Sequence, residues 1–255
     1  QFKLDRNGFV VNDQQQKLLG YPADATGTII PGAAVPLQMP TAGIAPAVTT
    51  TIGMELNLDA RAAVTLPAAG APIDFADPST YNNATSQTVY DVRGEGVTLT
   101  YYFQKSAADT WNVYVAADGT PIATAGGNPA PSTTITFPPN GGAPTAPVGT
   151  VAINIPAVAN ANGALTQPIA GVALDVAKAT QYGAAFGVTD LSQDGYAPGQ
   201  LIGVQIENDG TVMARYSNAQ TRPAGQIELA TFRNPQGLQP LGGNAWAASF
   251  ASGNP

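Results

Sequence analysis

Seventeen carboxylates, ten cations, no histidine and no cysteine are what this chain of 255 residues offers to chemistry. Without histidine there is no imidazole base, no Ser-His-Asp triad and no imidazole metal ligand; without cysteine there is no thiolate, disulfide or thiolate metal site. Paired acids remain, and Asp74 with Asp77 or Asp190 with Asp194 could in principle share a hydrolytic site. Yet Asp77-Pro78 and Asp194-Gly195 are turn-forming contexts, because Asp bonds its own downstream backbone and Pro presets φ. Asp5-x-Asn7-Gly8 and Asn208-Asp209-Gly210 share the opening of a calcium loop, but no bidentate Glu follows at the required offset, so both are expected to be hairpin turns. Gly126-Gly127 and Gly141-Gly142 lack the strand-to-helix setting in which a glycine loop cradles phosphate. No catalytic residue, cofactor or metal is expected. One binding alternative is an aromatic platform of Tyr102, Trp111 and Tyr114 that stacks on a sugar; the opposing reading puts Trp111 in the core and leaves the tyrosines as cross-strand neighbours.

Whatever these residues do, strands and turns must position them. Gly (28) and Pro (22) together make up about a fifth of the chain, and that balance favours short strands over helices. Charged residues are only 11%, against about a quarter in an ordinary domain. A surface of Thr, Ser, Asn, Gln and Ala suits a protein packed against copies of itself, and equally a secreted β-protein. The net charge of −7 argues against nucleic acid, which is bound through clustered Lys and Arg. No apolar run approaches the length of a membrane span, so no membrane is expected, and no basic-then-apolar leader opens the chain.

Alternation locates the strands. Phe2 and Leu4 alternate with Lys3 and Asp5, and Arg6-Asn7-Gly8 turns the chain into Phe9-Val10-Val11. Pro31, Pro36, Pro40 and Pro46 then mark an extended loop, after which Thr51 to Asp59 alternates strictly through Ile52, Met54, Leu56 and Leu58. Thr88 to Val92, Val97 to Gln104 and Trp111 to Ala117 form an expected meander, followed by Thr133 to Phe137, Val151 to Ile155 and the Val172-Leu174-Val176 alternation. Residues 177–189 are Ala-rich and broken by Gly183 and Gly187, and they are expected to be a linker. Ile202, Val204 and Ile206 then lead through Asn208-Asp209-Gly210 to Val212, Ala214 and Tyr216, a hairpin, with Ile227 to Phe232 as a third strand. The expected fold is all-β, with two β-rich domains of antiparallel sheets, sandwich or barrel-like. Residues 1–60 with 177–255 would form one domain, and 61–176 a second one inserted into it.

The last stretch also carries a family resemblance. Gln193-Asp194-Gly195-Tyr196, Gly199, Leu201, Asn208-Asp209-Gly210-Thr211-Val212, Tyr216-Ser217-Asn218 and Gly225-Gln226-Ile227 resemble the bacterial flagellar hook protein and its relatives in the flagellar rod. So do Phe232, Asn234, Gly237-Leu238, Gly243-Asn244, Trp246 and Ser252-Gly253. Near the start, Leu18 to Ala23, with Gly20, Tyr21 and Pro22, is similar to the family's Leu-x-Gly-Tyr-Pro-Ala ending. Ala219 departs from the pattern, since many relatives carry Gly there, and the turn after Tyr216 is expected to differ accordingly. The resemblance implies a structural subunit that polymerises with copies of itself into a flexible curved tube coupling motor to filament. It also implies rod, hook-cap and hook-filament junction partners, an extracellular location and export without a cleaved signal peptide. In the family, heptad-patterned terminal segments flank this region. The chain lacks them, so it is expected to be a core fragment, and monomeric. A distal rod protein, and a secreted carbohydrate-binding or adhesive β-sandwich, stay open as alternatives.

Overall fold

A computed structural model describes residues 2–24, 26–40, 42–65, 72–159 and 163–255. The chain divides into two compact units, one of Gln1–Ile44 with Gly199–Pro255 and the other of Ala45–Pro198. Among the described residues the elements are strands and two short 3-10 turns, Pro78–Thr80 and Pro235–Gly237.

In the Ala45–Pro198 unit, alternation places two sheets around one core. Asn83–Tyr90, Gly96–Ala107, Thr110–Ala117 and Thr133–Thr136 pair antiparallel in sequence order, and Thr120–Pro121 adds to Thr110–Ala117. Val97, Leu99, Tyr101 and Phe103 point inward and are fully buried. The second sheet is built on Thr51–Asp59, whose Ile52, Met54, Leu56 and Leu58 join the same apolar cluster as Val89, Trp111, Ile135, Val172 and Leu174. Two inner faces sharing one cluster make this unit a sandwich. Its second sheet is mixed, because Ile169–Asp175 and Thr180–Tyr182 run parallel to Thr51–Asp59 while Gly187–Gln193 runs antiparallel.

That sheet also moves two expected boundaries. Thr51–Asp59 belongs to this unit rather than to the terminal domain, because its pairing partners and its buried face are all here. Residues 177–189 are not a bare linker, since they supply the strand Thr180–Tyr182 and the start of Gly187–Gln193. Short Ala and Gly runs carry no readable period. The pairing comes from Thr51–Asp59, and Gln181 secures it by accepting from the Trp111 indole N–H (2.6 Å) and donating to Asp109 (2.9 Å).

The other unit joins both ends of the chain in a five-stranded sheet ordered Leu201–Ile206, Thr211–Tyr216, Thr221–Ile227, Leu19–Pro22, Val35–Pro36. Gly225 pairs with Pro22, Gln226 with Tyr21 and Ile227 with Gly20. The third strand of the hairpin run is therefore Thr221–Ile227 and not the expected Ile227 to Phe232. Pro223 and Gly225 break the alternation, and the sheet accommodates Pro223 where the register slips by one residue. The stretch expected to be plain loop contributes core, with Leu37 and Met39 buried beside Val10, Val11, Val212, Ala214 and Tyr216.

Charge divides unevenly between the units. Six acids (Asp5, Asp13, Asp24, Glu207, Asp209, Glu228) and six bases lie in the Gln1–Ile44 and Gly199–Pro255 unit, leaving eleven acids and four bases in the other. The entire net charge of −7 is carried by Ala45–Pro198.

Candidate functional site

None of the acids considered for catalysis converges on another. Asp74 accepts from the Ala76 N–H and Asp77 from the Ser79 N–H, each fixing its own turn. Asp190 is exposed on its strand, and Asp194 is engaged elsewhere, as described below. Among the described residues no group of acids could hold a metal ion. The aromatic platform does not form either. Trp111 is fully buried, Tyr114 is buried with its hydroxyl on Gln104, and Phe75 stacks on Tyr102 at 4.3 Å.

The signature residues instead build backbone geometry. In the Ala45–Pro198 unit, Gln193-Asp194-Gly195-Tyr196 closes against Ala47 to Thr51. Asp194 accepts from the Thr50 and Thr51 N–H groups (2.8 and 3.0 Å) and from the Thr50 hydroxyl (2.5 Å). Burial raises this carboxyl, but those bonds outweigh it and hold the group below the ordinary carboxylate range. Gly195 lets the strands touch, since a Cβ there would lie 2.8 Å from the Thr49 nitrogen. Tyr196 exchanges both backbone bonds with Ala47 (2.9 and 3.0 Å). In the other unit Gly199 makes the same exchange with Ile44 (2.8 and 3.1 Å), and a Cβ on Gly199 would strike the Asn218 side chain at 2.6 Å.

One turn type recurs. Six sets of described residues, starting at Asp5, Asn12, Asp24, Asp91, Glu207 and Tyr216 and ending four positions on, share a hydrogen-bond pattern. The first N–H donates to the fifth carbonyl and the fourth N–H to the first carbonyl. The fourth residue is left-handed throughout (Gly8, Gln15, Gly27, Gly94, Gly210 and Ala219, φ 63 to 90°), which in the five loops described at every position makes a type I turn closed by a bulge. Four loops begin with Asp or Asn, whose side-chain oxygen accepts the third and fifth N–H groups. The calcium-like openings at Asp5 and Asn208 are two of these turns. Ala219 does not alter the turn: it occupies the glycine position at φ 63°.

Gly20 and Gly225 face Leu37, leaving room for its side chain; a Cβ on either would fall 2.8 Å from a Leu37 methyl. In the C-terminal stretch Asn234 donates to the Ala251 carbonyl (3.1 Å) and Ser249 to the Gly237 carbonyl (2.6 Å), and Gly237 admits Ala251 at a distance no side chain allows. Leu238 donates its N–H to Pro235, and Phe232 is half-buried. Asn244 is left-handed (φ 60°) in the turn between Gln239–Gly242 and Ala245–Ala247, and Trp246 is 61% exposed opposite Pro240.

The sequence reading missed an open apolar groove of about 290 Å³ in the Gln1–Ile44 and Gly199–Pro255 unit, lined by Phe2, Lys3, Leu4, Val10, Val204, Ile206 and Val212. The alternation through Val204 and Ile206 is as expected, and they lie opposite Ala214 and Val212, which are buried. They stay 39 and 44% exposed because their strand ends the sheet. The signal was present in the pattern of Phe2 and Leu4, but which face stays open depends on sheet order.

Residues 57–196 match the family described as the flagellar basal body protein FlaE D2 domain. Over 99% of its length the chain is 38% identical to the flagellar hook protein of Salmonella typhimurium and 36% identical to that of Escherichia coli, and it spans 60% of the length of each. The flagellar hook protein of Brucella melitensis is 31% identical and 57% covered. Among solved structures, the Helicobacter pylori flagellar hook protein FlgE2 shares the fold at a TM-score of 0.61 and 14% identity, over 96% of this chain and 83% of that one. With that family match covering more than half of its residues, this chain belongs to the family of the flagellar basal body protein FlaE D2 domain.

Proposed function

We propose that the chain is part of a structural, non-enzymatic subunit of the bacterial flagellar hook, which polymerises outside the cell into a flexible curved tube and passes motor torque to the filament. The observation that carries this reading is the alignment of nearly the whole chain with relatives named flagellar hook protein. The site residues support it, since signature positions are spent on close packing, Gly195 and Gly237 against backbone and Gly199 and Gly225 against the Asn218 and Leu37 side chains. Rod, hook-cap and hook-filament junction proteins are the partners the family resemblance implies, with export that uses no cleaved signal peptide. The chain of 255 residues by itself is expected to be monomeric, which light scattering tests. The protein is to be expressed in a motile bacterium whose own hook gene has been deleted. Curved extracellular tubes and restored swimming are expected; straight tubes, or none, would overturn the reading.

A further inference from the structure

We infer that the apolar groove of the Gln1–Ile44 and Gly199–Pro255 unit is a contact surface for a second copy of this chain, an inference that rests on the hook-subunit reading above. Phe2 and Leu4 stand on one wall, 50 and 39% exposed, with Val204 and Ile206 on the other, while Val10 and Val212 form the floor. The wall strand Leu201–Ile206 ends its sheet, so its outer edge has no partner among the described strands. An apolar trough beside an open strand edge is a surface that another chain covers, through side chains and through backbone pairing together.

Charge selects a copy as the occupant. Copies meeting through Ala45–Pro198 would oppose two bodies of eleven acids and four bases each, a repulsion that acts over about 8 Å at physiological salt. Through the other unit, with six acids and six bases, no net charge opposes the approach. The groove lining itself contains no acid, and its one cation, Lys3, sits 3.8 Å from Asp13. The groove thus combines an apolar lining, an open strand edge and a unit without net charge.

Since the chain has no cysteine, Ile206→Cys installs a single thiol in the groove. Its maleimide labelling is to be measured in three samples: the chain of 255 residues, the unassembled protein as its cell makes it, and tubes isolated from cells and purified to this subunit alone. Fast labelling is expected in the first two samples, with a slowing of at least tenfold in tubes. Val204→Asp, which puts a carboxylate in the groove, should raise the protein concentration needed for assembly about tenfold and leave the melting temperature unchanged. Tubes that label as fast as the unassembled protein would sink the groove contact and leave the hook reading standing. Slow labelling already in the unassembled protein would show that its own polypeptide covers the groove, and would also overturn the inference. Failure of the unmodified protein to form tubes would remove both.

Discussion

Gly20 and Gly225 make room for the Leu37 side chain. Gly225→Ala forces a methyl against Leu37 and the Tyr21 carbonyl, so a loss of about 1–3 kcal/mol is expected in urea unfolding of the unit that contains it. An unchanged midpoint would show that Leu37 yields freely. Ala219 makes the opposite case. It holds a left-handed conformation that disfavours any Cβ by about 1–2 kcal/mol, so Ala219→Gly should stabilise, by about 0.5–1 kcal/mol once the entropy of a new glycine in the unfolded chain is subtracted. At Gly210, φ 82°, substitution by Val should cost about 1–2 kcal/mol or more for the same reason, read as a lowered melting temperature. Turn positions of this kind were legible from Asn-Gly and Asp-x-x-Gly spacing. Leu37 was not, because a buried leucine in a proline-rich stretch has no periodic neighbours to announce it.

At the scale of elements, the loop at Asp91 shows how a turn becomes a tether. Its carboxylate, fully buried, accepts from Arg93 (2.8 Å), Glu95 (2.9 Å) and, across the fold, Gln167 (2.7 Å). Burial alone would raise this carboxyl; the N–H bonds from Gln167, Glu95 and Arg93 prevail and hold it below its ordinary value of 3.8. A depressed folded value means that the unfolded chain takes up the proton first. The stability from Asp91, and likewise from Asp194, is therefore fully present above about pH 4 and lost as pH falls through the folded values. Asp91→Asn should lower the melting temperature at pH 7 and shrink the difference between pH 7 and pH 3; an unaltered pH slope would refute this. Strands with strict alternation, such as Thr51–Asp59 and Gly96–Ala107, could be read directly from sequence. Thr180–Tyr182 and Thr221–Ile227 could not, since Gly, Ala and Pro leave their identity to the neighbour that pairs with them.

For the whole molecule, division into two units was foreseeable from composition, but the boundary was not, because proline-rich passages mark where the chain is irregular and not where the core ends. The core that contains Thr51–Asp59 is closed within Ala45–Pro198, so this segment alone should fold and melt in one cooperative transition followed by circular dichroism. Noncooperative melting would show that its core depends on residues outside it. The groove likewise escaped the sequence, where Val204 and Ile206 looked like any inward-facing pair. The paired backbones of Ile44 and Gly199 suggest an editing point. With those two residues already hydrogen-bonded to each other, excising everything between them and bridging the cut with a few glycines should leave the remaining sheet undisturbed, and foreign modules of any size could be spliced in at the same seam.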